Sequence, residues 1–467
     1  MDQIHTRTDV GTAPIAAHGA TIQISDVIER QGVGRYQIWM LVVCFVVVLM
    51  DGFDTQAIGY VAPALSAAWK FPKQALGPVF SAGLFGLMLG ALLFGPLADR
   101  YGRKVIIIVC TLVFSAFTLA STQAHSLDQI LVLRLLGGLG LGGAMPNAIA
   151  LMSEYAPRRH RAMMVVILVC GFSAGAAVGG FLAAHIIPAF GWPAVFYVGG
   201  LLPLVLIPLI AYGLPESARF LSMKQGTEAR IVAILQRLAP RMNIPADARF
   251  VAEGEVKSFP VSELFTEGRA RATSLIWFAF LMNLIVLYFF SSWLPSVLTS
   301  VGMTMAQAVK TTAYFQVGGT VGALTIGWMS DKFRPTRILA LAFAGAAVFI
   351  AIIGNAGASA WVAPAVFGAG FCIVGGQIGA NAFVGGFYPT RIRSTGVGWA
   401  LGIGRVGSVI GPMLAGWLLA MKWSPASVFF MAMIPALLAG ISMLMVGQMK
   451  NSTNVQDNGA LPAAASN

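Results

Sequence analysis

Long apolar runs, separated by short polar segments, fill the chain between residues 37 and 447. A helix that crosses the hydrocarbon core of a bilayer needs about 20 predominantly apolar residues, and twelve runs meet that length. The sequence therefore predicts an all-α membrane protein. The twelve predicted spans cover residues 37–60, 77–97, 105–123, 129–152, 162–187, 193–213, 273–294, 309–330, 338–355, 360–384, 395–419 and 426–447.

The basic residues indicate how these spans are oriented. If the N-terminus lies in the cytoplasm, 24 of the 30 Lys and Arg residues fall on the cytoplasmic side, four fall outside, and Arg134 and Arg405 lie within spans. Cytoplasmic loops of membrane proteins carry an excess of Lys and Arg, so we expect both termini in the cytoplasm. The net charge of +12 then reflects topology and does not indicate binding to nucleic acid.

The longest connection between spans divides them into two groups of six. It carries nine Lys and Arg residues and has no apolar run of spanning length. We therefore predict five segments: a cytoplasmic tail at 1–36, a six-helix bundle at 37–213, a cytoplasmic loop at 214–272, a second six-helix bundle at 273–447 and a cytoplasmic tail at 448–467.

An internal repeat relates the two groups of spans. A shift of 232 residues places Asp99 on Asp331, each in a charged loop between spans. Because six is an even number of spans, both halves have the same orientation in the membrane. This predicts a parallel repeat about an axis along the membrane normal, which is a known architecture of transporters. Further pairs matched by the shift are Gly95 with Gly327, Pro157 with Pro389, Arg159 with Arg391, Gly175 with Gly407 and Gly179 with Gly411.

The first of these charged loops also carries a resemblance to a known family. The sequence Gly-x-x-x-Asp-Arg-x-Gly-Arg-Lys at 95–104 resembles the signature of the major facilitator superfamily, and a degenerate copy occurs at 327–334. The motif Asp-Gly-Phe-Asp at 51–54, with segments 140–147, 292–295 and 402–405, is similar to the aromatic acid:proton symporter group of that superfamily.

This resemblance implies a proton-coupled importer of aromatic carboxylates such as 4-hydroxybenzoate, working by alternating access in a bacterial inner membrane. It implies a small aromatic acid and the lipid bilayer as partners, and no cofactor besides the coupling protons. We expect a monomer. The alternative is a transporter of shikimate-like or dicarboxylic acids, or an exporter of the same fold. We predict neither an enzyme nor a metal site, because clustered His residues, acid pairs and metal-ligand Cys spacing are lacking in the sequence.

Four charged side chains interrupt the predicted spans: Asp51, Asp54, Arg134 and Arg405. A charge at the bilayer centre costs about 3 kcal/mol or more, so such residues are functional candidates. Asp51 and Asp54 are three residues apart and share a helix face. With a rise of about 1.5 Å per residue, Asp54 and Arg134 lie at similar depths, and Arg405 lies near the midplane.

These depths suggest different roles for the charges. We expect Arg405 to bind an anionic substrate, because a guanidinium group grips a carboxylate through two parallel hydrogen bonds. Asp51 and Asp54 are candidate proton carriers, with Arg134 as the partner of Asp54, since the proton affinity of a carboxyl group depends on burial and neighbouring charge. The alternative is that the charges only neutralise one another and hold the helices together.

Uncharged polar residues in the second half add candidates for substrate binding. The 232-residue shift places Asp51 on Asn283, so these two polar groups would face each other across the repeat axis. Gln377 and Asn381 are four residues apart and share a helix face, from which they could bond a ring hydroxyl. Their alternative role is to form hydrogen bonds between helices.

Charged residues also gather just inside the membrane on the cytoplasmic side. We predict that they form a gate whose members pair across helix ends when this side is closed and separate when it opens. The alternative is that the basic residues only enforce the topology. The candidate gate residues are Asp99, Arg103, Glu154, Asp331, Arg334 and Arg391.

Overall fold

The computed structural model describes residues 21–459, apart from 225, 241, 243–248, 252–259, 358 and 390. The predicted ends of the two tails, 1–20 and 460–467, lie outside the described residues. The described elements are β1 (Thr21–Gln23), α1 (Ile24–Gln31), α2 (Arg35–Trp69), α3 (Leu76–Tyr101), α4 (Arg103–Ala120), α5 (Leu127–Tyr155), α6 (Arg158–Phe190), α7 (Pro193–Gly213), α8 (Ala218–Ser222), α9 (Glu228–Leu238), β2 (Arg249–Val251), α10 (Ala270–Ser300), α11 (Met305–Lys332), α12 (Pro335–Ala356), α13 (Val362–Phe387), α14 (Arg393–Ala420) and α15 (Pro425–Gly459).

Each of the twelve predicted spans corresponds to a long helix. Eleven of these helices are long and apolar enough to cross a membrane on composition alone. The other, α11, has 28 residues but is more polar, since it contains Lys310 and Gln316. It packs between α6 and α13 and so belongs to the same array. The first span is longer than predicted, because α2 continues past 60 to Trp69.

The long helices form two bundles with the same internal pairings. In the first bundle α2 packs on α6, α3 on α5 and α4 on α7, and in the second bundle α10 packs on α14, α11 on α13 and α12 on α15. A shift of 232 residues carries Arg103, the start of α4, to Pro335, the start of α12. It also carries Pro193, the start of α7, to Pro425, the start of α15. The predicted parallel repeat is therefore confirmed.

Glycine brings equivalent helices of each bundle into backbone contact. A Cβ atom on Gly175 of α6 would lie 1.8 Å from the carbonyl oxygen of Leu49 in α2. In the second bundle, a Cβ atom on Gly407 of α14 would lie 2.3 Å from the carbonyl oxygen of Leu281 in α10. Leu49 and Leu281 are themselves 232 residues apart, so the same contact occurs in both halves. It fixes α2, which carries the two intramembrane aspartates.

The two bundles are joined at one end of the helices. We call the end at which α2, α4 and α6 begin the basic end, and the other the opposite end. Near the opposite end, Ser81 Oγ in α3 donates to the carbonyl oxygen of Val409 in α14 over 2.7 Å. A Cβ atom on Gly77 would lie 3.2 Å from Gly416 Cα. Phe181 in α6 and Tyr314 in α11 also make a ring contact here.

The same helix pair separates toward the basic end. Gly95 and Gly398 lie on the same faces of α3 and α14 as Gly77 and Gly416, about 18 residues or five turns away. A Cβ atom on Gly95 or Gly398 would meet nothing within 4 Å. The space between the bundles is therefore closed at the opposite end and opens toward the basic end.

Segments from the predicted tail and the predicted loop pack together at the basic end of the first bundle. β1 pairs in parallel with β2. Ile28 of α1 and Leu235 of α9 are buried in one hydrophobic cluster with Tyr155 of α5. Glu29 of α1 accepts a hydrogen bond of 2.6 Å from the backbone N–H of Arg158, the first residue of α6. These segments form a small layer that packs on one bundle. We call this layer, which consists of α1, β1, α8, α9 and β2, the cap layer.

Candidate functional site

A buried ion pair joins Asp54 of α2 to Arg134 of α5. Arg134 Nη1 lies 3.3 Å from Asp54 Oδ2, and the two side chains are 5% and 1% exposed. Thr118 of α4 completes the cluster, because its hydroxyl group donates to Asp54 Oδ1 over 2.7 Å and accepts from Arg134 Nη2 over 2.9 Å. The cluster therefore connects three helices of the first bundle through charge-assisted hydrogen bonds.

Neighbouring groups hold the guanidinium group of Arg134 in place. Ser121 Oγ accepts a further hydrogen bond of 3.3 Å from Arg134 Nη2. The Phe196 ring of α7 lies 4.8 Å from the guanidinium carbon, which is within the range of a cation–π contact. A cavity of about 30 Å³ adjoins Asp54 and Arg134. This volume can hold water, since one water molecule needs a cavity of about 10–15 Å³.

Asp51 lies one turn before Asp54 on α2 and is 2% exposed. It accepts a hydrogen bond of 3.3 Å from Thr55 Oγ1 of the same helix. The positive charge of Arg405 is close enough to act on the Asp51 carboxylate. Asp51 is therefore within electrostatic range of Asp54 in the first bundle and of Arg405 in the second.

A cavity of about 120 Å³ lies between the two bundles. Apolar side chains form most of its wall, and Arg405 is the one charged residue among those that line it in the described part of the chain. Its lining residues are Met145, Val169, Phe172 and Ser173 from the first bundle, and Leu284, Leu287, Tyr288, Gln316, Val374, Gln377, Ile378, Asn381, Leu401 and Arg405 from the second.

Arg405 of α14 is held at the cavity wall by Tyr288 of α10. Arg405 Nη1 donates to the Tyr288 hydroxyl oxygen over 3.2 Å. Because the oxygen of Tyr288 accepts this bond, its hydroxyl hydrogen is available to another acceptor. The described residues give Arg405 no ion pair with an acid. The pair Arg405 and Tyr288 thus presents hydrogen-bond donors to the cavity.

Asn283, Gln377 and Asn381 form a chain of amide hydrogen bonds. Asn283 Nδ2 donates to Gln377 Oε1 over 2.9 Å, and Gln377 Nε2 donates to Asn381 Oδ1 over 3.0 Å. Gln377 and Asn381 line the cavity, whereas Asn283 lies behind them and also donates to the carbonyl oxygen of Ile373. The amide nitrogen of Asn283 is therefore directed at α13, and that its polar group faces Asp51 stays a prediction.

Two of the candidate gate residues pair within the first bundle. Arg103 Nη1 lies 3.1 Å from Glu154 Oε1. Glu154 also accepts a hydrogen bond of 2.6 Å from Ser217 Oγ. Next to them, Glu216 Oε1 accepts from the backbone N–H groups of Lys104 and Ser217, so this acid caps the start of α4. This role of Glu216 was not among the predictions made from the sequence.

The other candidate gate residues lie at the basic end of the molecule. Asp99 and Asp331 are exposed, and the described residues give neither carboxylate an ion pair or a hydrogen bond. Arg334 is exposed at the start of α12. Arg391 pairs with Glu263, at a distance of 2.8 Å, within the second half. The exposure of these side chains agrees with a molecule in which the two bundles are separated at the basic end.

Comparison with known proteins identifies the family to which the chain belongs. The family model described as Major Facilitator Superfamily matches residues 44–400 and 311–463. The chain belongs to the major facilitator superfamily. As a member of that superfamily it is a membrane transporter and not an enzyme, as the sequence predicts.

Curated relatives of this transporter are similar along almost its whole length. The gallate transporter of Pseudomonas putida is 40% identical over 92% of this chain and 96% of its own length. The 4-hydroxybenzoate transporter PcaK of Pseudomonas putida is 39% identical over 92% of this chain and 96% of its own. The 3-(3-hydroxy-phenyl)propionate transporter of Escherichia coli is 36% identical over 86% and 92%. The resemblance to the aromatic acid group is confirmed.

Solved structures of other transporters share the fold. A D-xylose-proton symporter has a TM-score of 0.66 and 18% identity, and the match covers 87% of this chain and 97% of the symporter. A bacterial homologue of the human lysosomal transporter Spinster, in an inward-facing and occupied conformation, has a TM-score of 0.67 and 16% identity over 89% and 98%. The predicted fold of twelve helices in two bundles is confirmed.

Proposed function

We propose that this protein is a proton-coupled transporter that imports aromatic carboxylates by alternating access. The relatives of highest similarity described above are named for gallate and 4-hydroxybenzoate, which are both hydroxylated benzoic acids. The cavity between the bundles has the composition that such a substrate requires, since a ring needs apolar walls and a carboxylate needs a cation.

The observation that carries the proposal is the position of Arg405. It is a half-buried cation in a mostly apolar cavity, and the described residues that line this cavity include no acid to neutralise it. An anion that enters the cavity stabilises this half-buried charge, so the cavity favours an anionic ligand. The guanidinium group and the free hydroxyl hydrogen of Tyr288 together supply donors for both oxygens of a carboxylate.

The proton side of the mechanism rests on the buried acids of α2. When Asp54 is ionised, its pair with Arg134 holds α2, α4 and α5 together. Protonation of Asp54 removes the charge that Arg134 neutralises, so the pair weakens and these helices are free to change their arrangement. Asp51, which is within electrostatic range of both Asp54 and Arg405, is the group through which the anion and the proton sites influence each other.

The conformation supports alternating access. The bundles are joined at the opposite end and separated at the basic end, so the cavity is open on one side only. Because Lys and Arg concentrate at the basic end, we assign this end to the cytoplasm, with both termini there, in a bacterial inner membrane. The structure then represents an inward-open state, and Asp99, Asp331, Arg334 and Arg391 remain candidates for pairs that form when this side closes.

We assign supporting roles to the amide chain. Gln377 and Asn381 line the cavity and contribute to substrate binding, and Asn283 holds Gln377 in position. We also propose that one chain is the transporting unit, because both walls of the cavity come from the same chain.

Uptake of labelled 4-hydroxybenzoate into proteoliposomes tests the proposed function. The lumen is buffered at a higher pH than the medium, and uptake is compared with and without a protonophore. We expect accumulation that the protonophore abolishes and that excess gallate inhibits, while excess shikimate or lactate has little effect. Inhibition by the non-aromatic acids alone would instead favour the alternative substrates, and accumulation that survives the protonophore would exclude proton coupling.

A further inference from the structure

One polar side chain that lines the cavity makes no hydrogen bond to the described part of the chain. Gln316 of α11 is 2% exposed as a whole residue and lines the cavity. Its backbone oxygen accepts from Thr320, but its side-chain amide makes no hydrogen bond to any described residue. The amide atoms are not fully enclosed by protein, so they border the space of the cavity. A ligand in the cavity can therefore supply the hydrogen bonds that the protein does not.

The other glutamine of the cavity wall differs in this respect. Both functional atoms of the Gln377 amide already bond to protein, since Oε1 accepts from Asn283 and Nε2 donates to Asn381. Gln316 keeps its carbonyl oxygen and both of its N–H groups free. It is therefore better placed than Gln377 to satisfy a ligand that needs a donor and an acceptor at the same time.

A second unpartnered group faces the same cavity from the first bundle. Ser173 of α6 is 3% exposed and lines the cavity, and its hydroxyl group makes no hydrogen bond to the described residues. α6 and α11 pack against each other. Gln316 and Ser173 thus place one free polar group from each bundle at the wall of one small cavity.

We propose that Gln316, together with Ser173, binds the ring hydroxyl of the substrate and so makes the transporter selective for hydroxylated aromatic acids. This inference rests on the proposed function, which supplies the aromatic carboxylate. A phenolic hydroxyl both donates and accepts hydrogen bonds, and an amide offers an acceptor and donors to match it. A hydroxyl that bonds to both residues also connects the two bundles, while the carboxylate is held by Arg405.

The alternative assignment of these groups is that they only hold water in the cavity. In that case removal of either group would change the affinity for hydroxylated and unhydroxylated acids alike. The proposal requires a selective effect, because a site that hydrogen-bonds a substrate hydroxyl discriminates strongly against an analogue that lacks it.

Isothermal titration of the purified protein with matched acids tests this assignment. The probes are 3- and 4-hydroxybenzoate, and 3- and 4-methylbenzoate, in which a methyl group of similar size cannot form hydrogen bonds. We expect the wild type to prefer a hydroxylated acid over its methyl analogue. In Gln316→Met, which keeps the length of the side chain, we expect about a tenfold loss of affinity for the preferred hydroxylated acid and less than about a twofold change for the methyl analogue.

Three further variants complete the test. Ser173→Ala should show the same selective loss, to a smaller extent. Thr312→Val is the matched control, because Thr312 is a buried polar residue of α11 whose hydroxyl donates to Ala308 and which does not line the cavity. It should bind both classes like the wild type. Gln316→Glu should weaken binding of both classes, since it places a negative charge beside the anion.

The outcomes separate the inference from the proposed function. A wild type that binds methylbenzoates as tightly as hydroxybenzoates contradicts the inference and leaves aromatic acid transport intact. The same holds for a Gln316→Met protein that still binds both classes but more weakly by the same factor. If Gln316→Met binds neither class, Ser173→Ala decides by the same selectivity. A wild type that binds none of the four acids contradicts the proposed function itself.

Discussion

The Asp54–Arg134 pair shows how single side chains can link charge to helix arrangement. Both groups are almost fully buried, and each has further hydrogen bonds to Thr118 or Ser121. Removing one partner of a buried pair is strongly destabilising, by about 3–5 kcal/mol, because the other charge remains without compensation. Protonation of Asp54 has the same effect on Arg134 but is reversible, which is what a proton-coupled step requires.

The proton role proposed for Asp54 predicts a specific defect in Asp54→Asn. The amide cannot be protonated, so we expect proton-driven accumulation of labelled 4-hydroxybenzoate to fall about tenfold or more, as expected when a charged pair worth at least about 1.4 kcal/mol is lost. Exchange of labelled for unlabelled substrate needs no net proton movement and should persist. Both are measured in the same proteoliposomes.

The matched control for this variant is Asp128→Asn. Asp128 is exposed in the first turn of α5, outside the ion pair. The Asp128→Asn protein should therefore accumulate substrate like the wild type. If Asp54→Asn accumulates substrate as well as this control does, Asp54 is not a proton carrier, and Asp51→Asn becomes the variant to measure.

At the scale of the helices, close glycine contacts set the position of α2. A Cβ atom on Gly52, between the two intramembrane aspartates, would lie 2.0 Å from the carbonyl oxygen of Phe172 in α6. Phe172 itself lines the substrate cavity. The contact therefore fixes the acids relative to the cavity wall as well as the two helices relative to each other.

This contact predicts that Gly52→Ala is destabilising. Forcing an extra methyl group into a packed interface costs typically about 1–3 kcal/mol, so we expect a lower unfolding temperature of the purified protein by thermal denaturation. Gly398→Ala is the matched control, because a Cβ atom there meets nothing within 4 Å, and alanine is the better helix former. Equal unfolding temperatures for the two variants would show that α2 and α6 are not tightly apposed.

Much of the helix array could be predicted from the sequence, because length and apolar composition suffice to define most spans. Even α11, which is more polar than the other spans, was predicted, because its residues 309–330 form a run of spanning length. The pairing of β1 with β2 in the cap layer could not be predicted, since strands of three residues that lie far apart in the sequence leave no local pattern. The extra turns of α2 were missed, since the predicted span ends at 60 whereas the helix continues through Pro63 to Trp69.

The candidate site was predictable to a different degree for charged and uncharged residues. Asp54 and Arg134 stand out because charge within a span is rare, and the depth of each on its helix suffices to place them together. Thr118 and Gln316 are neither charged nor unusual in a span, so their roles depend on which helix face meets which neighbour. Only the folded chain shows that Thr118 completes the ion pair and that the Gln316 amide makes no hydrogen bond to the described residues.

At the scale of the whole molecule, few polar contacts hold the opposite end closed. Lys73, before α3, donates from Nζ to the carbonyl oxygen of Ser296 over 3.1 Å and to Thr299 Oγ1 over 3.4 Å, near the end of α10. A cation at a helix C-terminus is stabilising by about 0.3–1 kcal/mol. This contact therefore joins the two bundles on the side that opens to admit substrate under the proposed function.

Loss of this contact should shift the balance of conformations. Ser81 is buried between the bundles, so a cysteine introduced by Ser81→Cys reports on opening of this end. We expect a membrane-impermeant maleimide added from outside to react with it about two to five times faster when Lys73→Met is also present, as follows from the energy of the lost contact. Lys70→Met is the matched control, because Lys70 is exposed at the same end. A faster reaction in both variants, or in neither, would rule out a role for Lys73 in closure.

The central claim is that the cavity between the bundles carries an aromatic carboxylate bound to Arg405. The most direct test is the initial uptake rate of labelled 4-hydroxybenzoate in Arg405→Ala, with Arg337→Ala as the control, since Arg337 is exposed at the basic end of the same bundle. A hydrogen bond to a charged group contributes about 1.5–3 kcal/mol, so we predict a loss of about tenfold or more at subsaturating substrate for Arg405→Ala and an unchanged rate for Arg337→Ala. An uptake rate in Arg405→Ala equal to that of the control, at equal amounts of protein, would contradict the account.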